Sequence, residues 1–509
     1  MPDPITGLAS TVGLFLFNAG VPLAVVNAAT TITLFGAGLG LAAGISSAAN
    51  TLSQSLNARQ GLGESQRATQ GLRFPVRQAI PDQRLVLGRA TSSGAWFFSR
   101  SKPPYIWIGY LIAAHECGDL EEVVLNAEAV RLNSSGLSIA APYFDGTTNF
   151  LKVSYRAGTA DQAIDPIIAA DFPSMPADFR QRGHATVVIK AHYGADDDEH
   201  RAIYGSGGAF NPLFRFKGAK VYDPRKGAHV LADPTTWTWS DNASLCLARW
   251  LIHPWPNMRL VRPDQIDWDK IAAAADIDDL WRGRKDGTAE RNHTVNGIVT
   301  SSEDPLTVTR SLLSTLDGLL ILDGGKYHTI PGNPREPVMT LHQDMLASGL
   351  DFQAEASDRD LINTIKTEMV APDREYQTVV GPVLADAELV AADGQTLETT
   401  TSLRFVEGHQ RAQRLGNRIM QRSRDGRSLA AAWTTEANRA PAGSVVRVYL
   451  RDFPQVNGLY QVRQAVPDHQ TGTVSLQLTG WSNAVFDWNA ATQERDFEID
   501  QDVLDAEAA

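Results

Sequence analysis

His192 and His200 flank the run Tyr193-Gly194-Ala195-Asp196-Asp197-Asp198-Glu199, the densest grouping of metal-ligand or acid–base side chains in the chain. A calcium loop needs oxygen ligands at alternating positions, a glycine turn and a distal glutamate. Here the three aspartates are consecutive, the pattern of a solvated loop. His115-Glu116-Cys117 opens like a zinc-protease helix, but position 119 is Asp119 and the second histidine is missing. The segment also follows an apolar, strand-like run, so it reads as a turn between strands.

Paired carboxylates occur at Asp267/Asp269 and at Asp276/Asp278/Asp279. The first pair stands at a helix start, where exposed N–H groups favour acids, so capping accounts for it better than glycoside hydrolysis. No G-x-S-x-G nucleophile elbow is present, and Gly205 to Phe210 (GSGGAF) lacks the Lys-Ser/Thr pair of a phosphate loop. Trp237 and Trp239 alternate as if covering one face of a strand. Cys117 and Cys246 are too few for a disulfide framework or a thiolate metal site, and neither has a basic sequence neighbour that would activate it. They read as small structural residues of a protein folded in a reducing compartment. No catalytic residue, metal site or cofactor is expected.

The elements that would position these residues are legible in outline. Residues 84–158 hold short aromatic and β-branched runs (RLVLGRA, AWFFSR, PYIWIGYLIAA, EEVVLNAEAVRL, FLKVSYRAG) separated by Gly, Ser and Pro, which predicts strands. HATVVIKAHYG and KGAKVYDPRKG read as further strands ending in turns. DNASLCLARWLI predicts a helix capped by Asp241 or Asn242, with Leu245, Leu247 and Leu251 as apolar positions. DQIDWDKIAAAADIDDLW predicts another, capped by Asp264 or Asp267. In DPLTVTRSLLSTLDG, Asp304 caps, Pro305 takes the first turn, Leu312, Leu313 and Leu316 form the stripe and Gly318 stops the helix. LLILDGGKYHTIPG predicts a hairpin turning at Asp323-Gly324. The last third combines a helix at EGHQRAQRLGNRIMQRSR with strands at SVVRVYLRD, GLYQVRQAV and TVSLQLTGW.

With 509 residues the chain exceeds a single core. Its net charge of -12 argues against a general nucleic-acid binder, although an acidic lumen suits DNA that passes without sticking. The two ends are unlike the rest. Residues Pro4 to Ala58 contain no Asp, Glu, Lys or Arg, and Gly36, Gly40 and Gly44 recur at the small-xxx-small spacing of closely packed helices. An acid precedes this stretch where a secretory signal would be basic. Pro22, Asn18 and Asn27, with the many Ala, Gly and Thr residues, divide it into pieces, and the first, GLFLFNAGVPLAVV, is shorter than the roughly 20 residues a membrane span requires. At the other end, residues 493–509 carry seven acids and one base, the composition of a solvated tail or a docking arm.

Several stretches, in order, resemble the tail-tip hub (tip attachment) family of long-tailed bacteriophages. These are PDQRLVLGRATSSGAWFF with YIWIGYLIAAHECGDLEEVVLNAEAV, then FKGAKVYDPRKG, then DNASLCLARWLI, IDWDKIAAAADI and RNHTVNGIVTSSEDPLTVTRSLLSTLDGLLILDGGKYHTIPG. DRDLINTIKTEMVAPDREYQ and RAQRLGNRIM with GSVVRVYLRD and GLYQVRQAV extend the likeness less sharply, for a coverage of about residues 72 to 490. These motifs mark a fold and transfer no catalytic residue.

The resemblance implies a mainly β, multidomain protein with inserted helices (α+β), with tail-hub-like β domains after an apolar N-terminal helical segment. The expected division is 1–58 apolar segment, 59–174 first β-rich domain, 175–345 α+β domain, 346–490 third barrel-like domain and 491–509 acidic tail. It further implies a non-enzymatic homotrimer at the tail tip of a virion, assembled in the host cytoplasm, that joins tube to tip or fibre proteins and gates genome ejection. Tail-tube, tape-measure and fibre or tip proteins are the expected partners. The plug or membrane-contacting face would comprise Phe15, Phe17, Leu34, Phe35, Gly36, Gly40 and Gly44, and partner docking would use Asp496, Glu498, Asp500 and Asp502. The alternatives are a hub carrying wall- or capsule-degrading activity, and a membrane-penetrating protein acting through residues 1–58.

Overall fold

Runs that alternate large apolar with polar residues form sheets buried on one face, and the computed structural model is accordingly mainly β with inserted helices, in several units. It describes residues 81–497 except 195, 206–209, 255–259, 356–359 and 373–375. The charge-free segment therefore lies outside the described residues. Among the described residues no helix is long and apolar enough to cross a membrane.

Two antiparallel four-stranded sheets make the first unit. One has the order Ala95–Lys102, Tyr105–Ala113, Ala185–His192, Leu151–Arg156, and the other Arg89–Ser92, Pro212–Lys217, Leu120–Leu125, Glu128–Ala129. Their inner faces share Ile108, Tyr110, Ile112, Val187, Phe214 and Phe216, all buried. Strands from both sides of residue 174 thus enter one sheet. The helices Ala243–Leu251, Trp268–Asp278 and Pro305–Leu316 enclose a second core with Leu85, Leu247, Trp250 and Leu312. Arg84–Leu87 pairs antiparallel with Gly297–Thr300 and so ties this core to the first unit.

The remaining chain builds two sheets. Thr364–Ala371 is central in one, parallel to Glu398–Glu407 and antiparallel to Gln377–Val380 and Leu384–Ala385, with the helix His409–Ser423 packed on it. The other has six strands in the order Thr340–His342, Val445–Tyr449, Gly458–Asp468, Thr473–Gly480, Ser428–Thr434, Asp351–Gln353, around Trp433, Tyr460 and Leu476.

The caps are Asn242, Asp267 and Asp304, each accepting from a backbone N–H three residues on. Two local expectations need correction. The left-handed residue ending Pro305–Leu316 is Asp317 (φ 48°), whose carboxylate is held by Arg422. Gly318 is required for a different reason, because a Cβ there would lie 2.7 Å from the Ile330 carbonyl. The hairpin turns at Gly324-Gly325, with Asp323 already paired to Lys326 and both glycines at positive φ, as a type I′ turn demands.

Candidate functional site

No open cluster of reactive groups emerges from the residues first singled out. Asp196 caps the helix Asp197–Tyr204, accepting from the N–H groups of Asp198 and Glu199, so the three aspartates begin a helix and do not form a solvated loop. His200 stacks on Tyr193 at 4.1 Å. His115 lies buried in the turn after Tyr105–Ala113; its Nε2 accepts from the Val86 N–H at 2.9 Å and burial lowers its pKa to about 4. Cys117 does have a basic neighbour in space, since its Sγ is 3.6 Å from His115 Nδ1. That imidazole is neutral, however, and burial pushes the thiol up, so the cysteine stays unreactive. Cys246 is likewise buried and shifted up. Among the described residues no group of three or more His, Cys, Asp or Glu could hold a metal ion.

The tryptophan pair is also not a strand face, because the strand there is only Thr238–Trp239. The Trp237 indole donates to the Val230 carbonyl at 2.8 Å, and the Trp239 indole to the Gly88 carbonyl at 3.0 Å beneath the Arg89 guanidinium. Both rings fasten loops to neighbouring elements.

What the fold does assemble is a buried polar seam where the units meet. On the helix His409–Ser423, Arg411, Arg414, Arg418 and Arg422 follow at intervals of three, four and four, which puts them on one face. That face meets residues 290–293. Arg414 and Arg411 flank Glu290, and Arg284 closes on the same carboxylate at 2.8 Å. The guanidinium of Arg411 also donates to the Arg291 carbonyl at 3.1 Å, and that of Arg414 to the Asn292 carbonyl at 3.3 Å. Burial alone would raise the Glu290 pKa, but Arg411 and Arg414 hold it below the usual glutamate range.

One turn further, Arg418 donates to His293 Nε2 at 3.1 Å, which leaves Nδ1–H to donate to Asp278 Oδ1 at 2.8 Å. Asp278 also accepts the Ser244 N–H at 2.8 Å, and burial raises its pKa to about 7. Burial and the Arg418 charge keep His293 neutral. Arg422 binds Asp317 through both guanidinium nitrogens. The side chains of His293 and Asp278 are 1% and 0% exposed, so this dyad is closed to any substrate.

The two motifs that marked the fold now have physical roles. In Val221-Tyr222-Asp223-Pro224-Arg225, the Arg225 guanidinium binds its own Asp223 at 2.9 Å and reaches Asp276 on the helix Trp268–Asp278 and Asp279 at its C-cap at 2.9 Å each. Two of the three clustered carboxylates are therefore its partners. In Arg291 to Gly297, Asn292 binds the Ile277 carbonyl, and the Asn296 side chain accepts the Arg89 N–H at 2.7 Å. A single stretch, 290–297, thus contacts all three neighbouring units. Sequence reasoning missed Glu290, His293 and the arginine stripe, although the arginine spacing itself was a readable signal.

Of the expected site residues, Phe15, Phe17, Leu34, Phe35, Gly36, Gly40, Gly44, Glu498, Asp500 and Asp502 lie outside the described residues. Asp496 is described, and it pairs with Lys285 of the same chain. Beside it, Glu494 accepts the Lys285 N–H at 3.4 Å.

A mainly β, multidomain scaffold closed by an internal charge seam is the class these features define. In fold it is similar to a chain in the virion of a native gene transfer agent (GTA) particle, with a TM-score of 0.53 and 16% identity over 84% of this chain and 90% of that one. A tail protein from Neisseria meningitidis MC58 aligns over 81% of this chain and 94% of its own at 10% identity and a TM-score of 0.29. The 43 kDa tail protein of prophage MuSo2 from Shewanella oneidensis aligns over 80% and 96%, also at 10% identity and a TM-score of 0.29. These last two scores are too low to argue from. No family model and no curated protein matches the chain.

Proposed function

We propose that this chain is a structural component of a phage-type tail, a trimeric tail-tip or baseplate hub that joins the tube to tip or fibre proteins and forms or closes the channel for DNA ejection. The observation that carries this reading is the fold shared with a virion chain over most of both lengths. The ordered motifs of the tail-tip hub family support it from the sequence side. The buried seam suits a part that must stay rigid under load, because its charges hold units together and are closed to substrates. In this reading residues 1–58 pack at the three-fold axis as a plug or tape-measure dock, with Phe15, Phe17, Leu34, Phe35 and the three glycines on the packed face. The acids of the tail face a fibre or tip protein. The lumen passes DNA without holding it.

Electron microscopy of particles bearing a tag on this chain tests the proposal. Three-fold density at the tail tip is the expected result. Density along the tube or on the capsid, or a monomer away from the tail, overturns it. The plug has its own test in liposome leakage. A chain starting at Gln60 and the full chain are expected to leak equally, whereas leakage by the full chain alone assigns residues 1–58 to membrane insertion.

A further inference from the structure

Where the second core meets the six-stranded sheet, a groove of about 340 Å³ stays open. One wall is the hairpin of Leu319–Asp323 and Lys326–Ile330, which turns Leu320 and Tyr327 into the second core. Side chains alternate across a strand, so His328 and Ile330 belong to the opposite face, and both line the groove. The other wall is residues 441–445, the entry to the strand Val445–Tyr449. Gly443 makes their close approach possible: its φ is 83°, and a Cβ there would lie 2.6 Å from Ile330 Cδ1. Clefts between packed units, with apolar walls and a few polar groups, are the usual setting of binding sites.

Two polar side chains of this groove are unsatisfied. His328 is 6% exposed, and its Nδ1 has no hydrogen-bond partner among the described residues, although buried polar atoms nearly always find one. Arg335 donates through Nη1 to the Gly443 carbonyl, but its Nε has no partner and it forms no ion pair among the described residues. The nearby acids are engaged or distant from it. Asp323 pairs with Lys270 at 2.8 Å, Asp317 is bound by Arg422 and Arg418, and Glu336 stands exposed at the mouth. Arg335 is nonetheless held in place. Its guanidinium stacks over the Trp481 indole at 4.3 Å, and the Asn483 side chain bonds its N–H and carbonyl at 3.0 and 3.1 Å. Arg422 lies 5.9 Å from the same indole, and Arg463 donates to Thr479, two residues before it. Burial and these two cations lower the Arg335 pKa to about 10, so it stays charged at neutral pH in a field of its own sign.

We propose that this groove receives a carboxylate side chain, Asp or Glu, from an apolar stretch of a partner protein, with Arg335 as the anchoring cation. A guanidinium has five N–H donors, so Arg335 keeps enough beyond the one given to Gly443 for a paired contact with a carboxylate. Asp323 and Glu336 line the same groove and repel a dianion such as a phosphate more than a single carboxylate. The carboxylate comes on a protein because Val338, which lines the groove, is 54% exposed. An apolar flank on a partner segment covers that side chain, whereas a free acid leaves it wet. An arginine ringed by apolar side chains is also where protein interfaces concentrate their binding energy.

Saturation-transfer NMR titration of the purified full chain with acetyl-Leu-Glu-Leu-amide and with acetyl-Leu-Gln-Leu-amide tests this. The Glu peptide is expected to bind at least about ten-fold more tightly, the advantage of a charge-assisted pair over a neutral contact. Arg335→Gln should erase that difference. Since Arg335 also packs on Trp481, a second variant leaves the interior untouched: Glu336→Gln should tighten the Glu peptide about two- to five-fold and leave the Gln peptide unchanged. Val338→Ser should weaken both peptides by the same factor. Equal binding of the two peptides by the native chain, or no effect of Glu336→Gln, overturns the proposal. Butyrate binding as tightly as the Glu peptide overturns it in favour of a free acid, and inorganic phosphate binding more tightly overturns the choice of a carboxylate. Because the measurement uses the isolated protein, it fails or succeeds separately from the location of the chain in a particle.

Discussion

Two buried helices in this molecule solve the same problem with opposite chemistry. Pro305–Leu316 is buried through Val308, Leu312, Leu313 and Leu316, side chains that need only shape from their neighbours. His409–Ser423 is buried through Arg411, Arg414 and Arg418 together with Ala412, Leu415 and Met420. An apolar face gains free energy from whatever oily surface covers it, at roughly 25 cal/mol per Å². A charged face is favourable only while each partner is in place, since the desolvation cost of a lone buried ion amounts to several kcal/mol. The apolar helix therefore supplies stability, and the arginine helix supplies register: it accepts one arrangement of units and rejects others.

The sharpest way to break that comparison is to remove the shared carboxylate. Glu290→Ala leaves Arg411, Arg414 and Arg284 facing each other without an anion, and the expected loss is about 3–5 kcal/mol. Chemical denaturation read at the seam would show it. A loss no larger than that of a surface substitution would mean that the seam does not hold the units. Leu312→Ala, on the other helix, is expected to cost about 2–4 kcal/mol through a cavity alone. Its loss should be insensitive to pH between 4 and 8, whereas the loss from Glu290→Ala should shrink in acid. The sign follows from the depressed pKa of Glu290: its contribution is present above the ordinary glutamate range and is lost as pH falls through the folded value.

Asp278 should behave in the opposite sense. Its pKa is raised to about 7 in the folded protein, so its contribution is full below the ordinary carboxyl range and is lost as pH rises through about 7. Asp278→Asn is expected to flatten the stability profile between pH 4 and 7, removing a slope of at most about 1.4 kcal/mol per pH unit. An unchanged slope would show that His293 and Ser244 compensate the carboxylate fully.

The same contrast explains what could be read from the amino acids alone. The helix Pro305–Leu316 was legible to its cap and its stripe, because leucines at helical spacing have a single structural meaning. The aromatic and β-branched strands were legible for the same reason. Arg411, Arg414, Arg418 and Arg422 are equally periodic, but arginine on a helix most often faces water, and only the partners at Glu290, His293 and Asp317 decide otherwise. Those partners lie more than 100 positions away in sequence, beyond the reach of any local spacing rule. The Asp267/Asp269 pair was correctly assigned to a helix start. Asp278 was grouped with Asp276 and Asp279 because spacing cannot tell an exposed carboxylate from one buried against an imidazole.

Two smaller substitutions sharpen the comparison at its margins. Asp304→Ala removes the hydroxyl and N–H contacts at Thr307, both 2.8 Å long, and should cost about 1 kcal/mol, the ordinary value of an N-cap. Lys285→Ala is expected to cost least. Its partner Asp496 is 72% exposed, and exposed pairs contribute about 0–1 kcal/mol, less as salt is added. Yet Lys285 also sits where residues 488–497, a C-terminal strap, cross toward the arginine helix, whose Gln413 side chain bonds both the N–H and the carbonyl of Arg495. If the strap is held chiefly by Gln413, as its two backbone contacts indicate, Lys285→Ala should leave hydrogen exchange at residues 494–497 nearly unchanged and Gln413→Ala should accelerate it. Equal acceleration by both would make the exposed ion pair an anchor comparable to the buried amide. The distinction between open and enclosed polar contacts would then fail at the strap.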